Sequence, residues 1–194
     1  MKSADKHEKI IKAAIKVFAS KGFFNARIAD IAKEAGVADG TIYLYFNNKY
    51  DILLSLFEEE IGKIISDVKN LLDQESDPEK MLAIFANHYL SLLRKNKELV
   101  EVLQMELRQS TSSIKEYRKT KFAEYIDIIS EIIAKGQDKG QFRKKVAPGI
   151  AKRAYFGALD EMARHWILQA KSRYTLEEAA EQICSIFLKG LSKK

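Results

Sequence analysis

Thr41, Tyr43, Leu44 and Tyr45 crowd hydroxyls, rings and one apolar side chain into a single short segment, with Ala38, Asp39 and Gly40 before it and Lys49 after it. Hydroxyls and ammonium groups of this kind donate to phosphate oxygens, and side chains among them reach base edges. Ile42 and Phe46, at i and i+4, turn to the opposite side, which leaves Thr41, Tyr43, Leu44 and Tyr45 facing out. The elements that must position them are short. Ile28, Ile31, Ala32 and Ala35 follow helical apolar spacing, Gly36 supplies the left-handed residue that ends that helix at an angle, and Val37 plugs the angle. Asp39 is then a good N-cap for a helix over 41–46. Two such helices are what a helix-turn-helix needs to enter a major groove with phosphate held on either side.

Residues 35–53, AGVADGTIYLYFNNKYDIL, resemble the signature of the TetR family of bacterial transcriptional regulators. Asp39 and the run Asn25-Ala26-Arg27 depart from the common pattern, at positions that vary with the operator read. The resemblance implies DNA-binding positions at Arg27, Ala38, Asp39, Gly40, Thr41, Tyr43, Leu44, Tyr45 and Lys49, with Tyr43 and Lys49 mostly on phosphate. It also implies a homodimer that reads a palindromic site in double-stranded operator DNA.

Charge agrees with a nucleic-acid partner. Of the formal net charge of +6, residues 1–50 carry +4, from nine Lys and Arg against five Asp and Glu. A basic arm and helix beside the motif supply phosphate attraction that does not depend on sequence. With 46% hydrophobic and 31% charged residues the chain has an ordinary globular composition, and only Pro78 and Pro148 interrupt long helical tracts. No apolar run resembles a signal peptide or approaches a membrane span, so a cytoplasmic protein without a membrane partner is expected. Cys184, the single cysteine, lies among Ile183, Ile186 and Phe187 and reads as a core thiol.

In chain order, the spacing predicts an all-α fold. A first helix runs over 6–20, with Ile10, Ile11, Ala14, Ile15 and Phe18 as its stripe, and Lys21-Gly22 stops it. Phe23 and Phe24 are expected to fill the small domain. A long connector follows over 48–72 and a polar break over 73–78, where Asp77 caps a helix beginning at Pro78. Further helices are predicted near 78–94, 96–109, 112–135, 147–170 and 175–191. A DNA-binding domain over 1–49 and a ligand-binding and dimerisation domain over 50–194 are the expected organisation. In the last two helices, Ile150, Ala154, Gly157 and Ala158, with Ala179, Ile186 and Gly190, widen the apolar stripes beyond what one protomer needs. A homodimer buries that surplus, and the resemblance implies the same pairing.

The middle of the chain is expected to enclose a small hydrophobic effector. Candidate lining residues are Phe85, Tyr89, Met105, Glu106, Arg108, Gln109, Phe122, Tyr125, Phe156 and Asp160. Glu106 and Asp160 sit on apolar stripes, where a carboxylate needs a partner. A structural ion pair, with Arg108 the nearest candidate, accounts for them as well as ligand contact does. MELRQS at 105–110 and FGALDE at 156–161, with Trp166 beyond, are similar to regulators of fatty-acid degradation within the family, which long-chain acyl-CoA releases from DNA. That likeness implies long-chain acyl-CoA as effector. Arg94, Lys95, Arg108, Lys115, Arg118, Lys119 and Lys121 then either meet its phosphates or form a solvated charge run. The alternative is a repressor of efflux or other genes that responds to a lipophilic cation, neutralised by Glu106 or Asp160, or to a different small hydrophobic ligand. Enzyme chemistry has little support. His7, His88 and His165 lack metal-ligand spacing, and neither a nucleophile motif nor a glycine-rich phosphate loop occurs, so no cofactor is expected.

Overall fold

The computed structural model describes residues 3–106, 121–169 and 173–192. The described chain is all-α: α1 (Ser3–Asn25), α2 (Ile28–Ala35), α3 (Asp39–Ile42), α4 (Lys49–Leu72), α5 (Pro78–Lys95), α6 (Lys97–Glu106), α7 (Lys121–Asp138), α8 (Pro148–Leu168) and α9 (Leu176–Leu191). Strand-like pairing among the described residues is confined to an isolated bridge between Phe142 and Ser192. No helix of the described residues is long and apolar enough to cross a membrane.

The chain divides into two compact units, 1–62 with 98–119, and 63–97 with 120–194. In the first unit, Ile10, Ile11, Ala14, Ile15 and Phe18 of α1 are buried, as their spacing requires, together with Ile31, Ala32, Ile42, Phe46, Ile52, Leu53 and Phe57. Helix α1 breaks at Gly22 (φ 72, ψ 156) and resumes for a last turn to Asn25. After this break Phe23 goes into the core at 2% exposure while Phe24 points out at 63%, so only one of the two fills the domain. Asn48 caps α4: its side-chain oxygen accepts from the Asp51 N–H at 3.0 Å, and Asp51 accepts in turn from the Asn47 N–H at 2.9 Å.

In the second unit, α5 packs against α7, α8 and α9, and α8 lies against both α7 and α9. Asp77 caps α5 by accepting from the Glu79 N–H at 3.1 Å, with Pro78 in the first turn. Thr175 and Glu178 form a reciprocal cap on α9. Tyr155 is buried, its ring beside Phe187 and its hydroxyl donating to the Leu82 carbonyl at 2.9 Å. Cys184 is buried as expected, and burial pushes its thiol up from the ordinary value.

The turn after α7 folds back on that helix. Gly140 takes φ 73, and the Phe142 N–H donates to the Gly136 carbonyl at 3.0 Å. The fully buried Phe142 ring lies where a Gly136 Cβ would stand, 2.2 Å from the ideal position. Gly136→Ala should therefore cost about 1 to 3 kcal/mol through forced displacement of the ring. A chemical denaturation midpoint checks this; an unchanged midpoint contradicts it.

Candidate functional site

The residues expected to face DNA lie at two corners of the first unit. At the first, the Arg27 backbone is extended and its N–H donates to the Asp30 carboxylate at 3.0 Å. Lys21 pairs with the same carboxylate at 2.7 Å, and the pair, with the Arg27 amide, holds the Asp30 carboxyl below its ordinary range. At the second, Gly36 adopts φ 66, ψ 37, and the Val37 N–H returns to the Ala32 carbonyl at 3.0 Å. This is the left-handed exit expected of a glycine there.

The reading helix differs from its expected bounds. Ala38, extended at φ −72 and ψ 148, occupies the cap position without a side-chain hydrogen bond, and Asp39 lies inside the first turn. Regular α-helix ends at Ile42. Beyond it the Leu44 N–H reaches Thr41 and the Tyr45 N–H reaches Ile42, i to i+3 bonds that tighten the segment into turns. Ile42 and Phe46 are both buried, and the Phe46 N–H also bonds the Ile42 carbonyl at 3.0 Å. Ala38, Asp39 and Gly40 are exposed, as is Arg27; Tyr43 is 59% and Leu44 81% exposed, while Thr41 and Tyr45 are half-buried.

Lys49 does not project outward. Its ammonium donates to the carbonyls of Phe23 (2.6 Å), Phe24 (3.1 Å) and Ala26 (2.7 Å) and lies 4.5 Å from the centre of the Phe23 ring. An ammonium has three donors, and three converging carbonyls take them. The first residue of α4 thus closes the junction that leads into α2. No spacing in the sequence reveals this, because the acceptors are backbone atoms left over where α1 breaks. His7 adds a second tie between α1 and α4, with Nε2 2.5 Å from Glu59 and its ring 5.0 Å from Phe46.

In the second unit, five of the expected effector residues come together as one aromatic cluster. Phe85 and Tyr125 stack at 5.2 Å, Tyr89 meets Phe156 edge-on at 5.2 Å, and Phe122 meets Phe156 at 5.5 Å. The cluster joins α5, α7 and α8. Asp160, one turn beyond Phe156, accepts a hydrogen bond from the Tyr89 hydroxyl at 2.8 Å, so one partner of this carboxylate is a phenol. Met105 belongs to the first unit and is 44% exposed. The side chain of Glu106, and Arg108 and Gln109, lie outside the described residues, as do Lys115, Arg118 and Lys119. Of the expected basic rim, Arg94 pairs with Glu177, and Lys121 and Lys69 share Glu124, each at 3.3 Å.

Two buried polar side chains in this unit have no hydrogen-bond partner among the described residues. They are Tyr125, at its hydroxyl, and His88, at both ring nitrogens. His88 continues the apolar stripe of Met81, Phe85 and Leu92, a signal already present in the sequence. Burial, with help from Lys95 and against Asp67, lowers the His88 pKa from its ordinary 6.5. The unfolded chain therefore binds this proton more readily than the folded one. The resulting stability is present above about pH 6.5 and is lost as pH falls through the lower folded value. His88→Leu should match or exceed wild-type stability at pH 7 and flatten the decline between pH 7 and 5, as read by thermal melts. Equal slopes for the two proteins would contradict this.

On α8 and α9, Ile150 is 72% and Ile186 68% exposed, and Ala154, Gly157 and Gly190 are exposed beside them. Ala179, expected on the same outer face, is buried at 5% and serves the protomer's own core. A groove of about 490 Å³ between the helices is lined by Val146, Ala147, Ile150, Ile186, Phe187 and Gly190, among others.

Comparison with known proteins covers nearly the whole chain. Residues 10–56 match the model of bacterial regulatory proteins of the tetR family, and residues 57–190 match that of the YsiA-like protein C-terminal region. The chain is 33% identical to the fatty acid metabolism regulator protein of Bacillus subtilis over 189 residues, 97% of each chain. Its fold is similar to the crystal structure of the transcriptional regulator FadR from Bacillus subtilis in complex with stearoyl-CoA, with a TM-score of 0.88 and 33% identity over 94% of this chain and 98% of that one. The fatty acid degradation regulator FadR from Bacillus halodurans is similar over the whole of both chains, with a TM-score of 0.90 and 34% identity.

Proposed function

The chain belongs to the TetR family of bacterial regulatory proteins, and from that premise we propose that it is a repressor of fatty-acid degradation genes which long-chain acyl-CoA releases from operator DNA. The observation that carries this reading is the 33% identity with the Bacillus subtilis regulator across 97% of both chains. It spans the part that would hold an effector as well as the part that would read DNA.

The chemistry of both parts agrees. Arg27, Ala38 to Thr41 and Tyr43 to Tyr45 offer exposed or half-exposed groups to a groove. Phe122 and Phe156, half-buried and packed on the ring cluster that holds the buried Phe85 and Tyr125, offer an apolar surface to an acyl chain, whose burial is worth about 0.8 kcal/mol per CH₂. Helix α4 contributes 49–62 to the first unit and 63–72 to the second, so a displacement along it connects effector and DNA. Only a difference in the effector's affinity for the two states shifts the equilibrium, and about 1 to 3 kcal/mol is typical of such coupling. A homodimer through the exposed α8 and α9 faces would present two reading units to a palindrome, its half-sites about 34 to 36 Å apart or at multiples of that spacing. The protein would act in the cytoplasm, on nucleoid DNA.

One observation favours a second reading. Asp160 places a carboxylate at the edge of the ring cluster, the arrangement that would neutralise a lipophilic cation. Gel shift on fragments carrying promoters of fatty-acid degradation genes tests the main proposal. A saturable shift selective for those fragments over unrelated promoters is expected, and uniform weak binding to all fragments would overturn it.

A further inference from the structure

The Tyr125 ring lies within the cluster, 5.2 Å from Phe85, 6.4 Å from Tyr89 and 6.3 Å from Phe156. It is 3% exposed, and its hydroxyl meets no acceptor among the described residues. The two phenylalanines can offer none, and the Tyr89 hydroxyl, which donates to Asp160 at 2.8 Å, is not within hydrogen-bond reach of it. A phenylalanine at position 125 would keep the same ring contacts without an orphaned donor. The hydroxyl is therefore a cost to folding that a bound partner can offset, since burying a polar group without its hydrogen bond is unfavourable. Burial also raises the phenol well above its ordinary value of 10.0, so it stays protonated and remains a donor.

Resting on the acyl-CoA reading above, we propose that the Tyr125 hydroxyl anchors the effector by donating to the carbonyl oxygen of its acyl thioester. A long acyl thioester has one uncharged acceptor at the head of an apolar chain, which matches one unpaired donor among aromatic rings. A free fatty acid would have to bring a carboxylate into the same surroundings and lose its hydration, which is far more costly. Tyr125 thereby selects thioester over acid, while the rings select chain length.

The test compares stearoyl-CoA with its thioether analogue, S-octadecyl-CoA, which keeps the chain and the nucleotide and lacks the carbonyl. Each is titrated by calorimetry into the full-length wild type and into Tyr125→Phe. The wild type is expected to bind the thioester roughly tenfold more tightly than the thioether. Tyr125→Phe is expected to bind the two equally and to melt at or above the wild-type temperature. A variant that keeps the tenfold preference, or a wild type that shows none, overturns the assignment. A clearly lower melting temperature for Tyr125→Phe also overturns it, because the hydroxyl would then serve the protein itself. If neither compound binds the wild type, the acyl-CoA reading fails together with this one, an outcome distinct from binding without discrimination.

Discussion

Lys49→Ala is expected to lower the thermal stability of the DNA-reading unit and to weaken operator binding about a hundredfold, without changing the salt dependence of the binding that remains. The ammonium is held by the carbonyls of Phe23, Phe24 and Ala26. Hydrogen bonds to a charged group are worth about 1.5 to 3 kcal/mol each. Lys49 is half-buried, and the three bonds share one charge. Their combined loss is therefore nearer about 3 kcal/mol than the sum. In a unit of this size that corresponds to a fall of roughly 10 °C or more in melting temperature. DNA affinity falls because the released carbonyls lie immediately before Ile28, where α2 starts, so the whole helix-turn-helix loses its fixed exit angle. A side chain that held phosphate directly would behave differently. Its removal would leave the melt unchanged and would reduce the slope of log affinity against log salt by roughly 0.9. Lys49→Arg separates charge from fit: a planar guanidinium does not match three converging carbonyls, so it should rescue only part of the loss.

Gly157→Glu is expected to convert a dimer into folded monomers, as read by sedimentation with far-ultraviolet circular dichroism in parallel. Within the protomer the substitution is harmless. A Cβ at Gly157 meets nothing within 4 Å, the residue is exposed, and replacing glycine by glutamate in a helix gains roughly 0.5 kcal/mol of helix propensity. Across a packed interface the same carboxylate would be buried without a partner, at a cost of several kcal/mol, which reduces association by about a hundredfold or more. Ile150 and Ile186, exposed in the single chain, mark the apolar area at stake. A protein that stays dimeric with native helicity would place the interface elsewhere. Loss of helicity would contradict the claim that the protomer tolerates the change.

Most helices were legible because apolar periodicity and local caps act over a few residues. Gly36, Asp77 with Pro78 and the stripe of α1 all do in the structure what their chemistry demands. Legibility failed where a long-range contact decides. The end of α3 at Ile42, with i to i+3 bonds beyond it, and the opposite exposure of Phe23 and Phe24 after the break at Gly22 carry no local signature. Lys49 fits the signature by type, yet its three acceptors are carbonyls more than twenty residues away, which no spacing can announce. The effector candidates show the same division. Size and apolarity were enough to pick out Phe85, Tyr89, Phe122, Tyr125 and Phe156, whereas their union in one cluster, the Tyr89 to Asp160 bond and the unpaired Tyr125 hydroxyl needed the fold.

In the function proposed above, an acyl thioester and operator DNA compete for one protein. Fluorescence anisotropy of a labelled operator complex, titrated in parallel with stearoyl-CoA, stearic acid and a lipophilic cation, measures that competition directly. Release at the lowest concentration by stearoyl-CoA, with stearic acid weaker and the cation without effect, is the predicted result. Release by the cation alone, with the complex indifferent to stearoyl-CoA, would overturn acyl-CoA as the effector and favour the carboxylate at Asp160 as the sensing group.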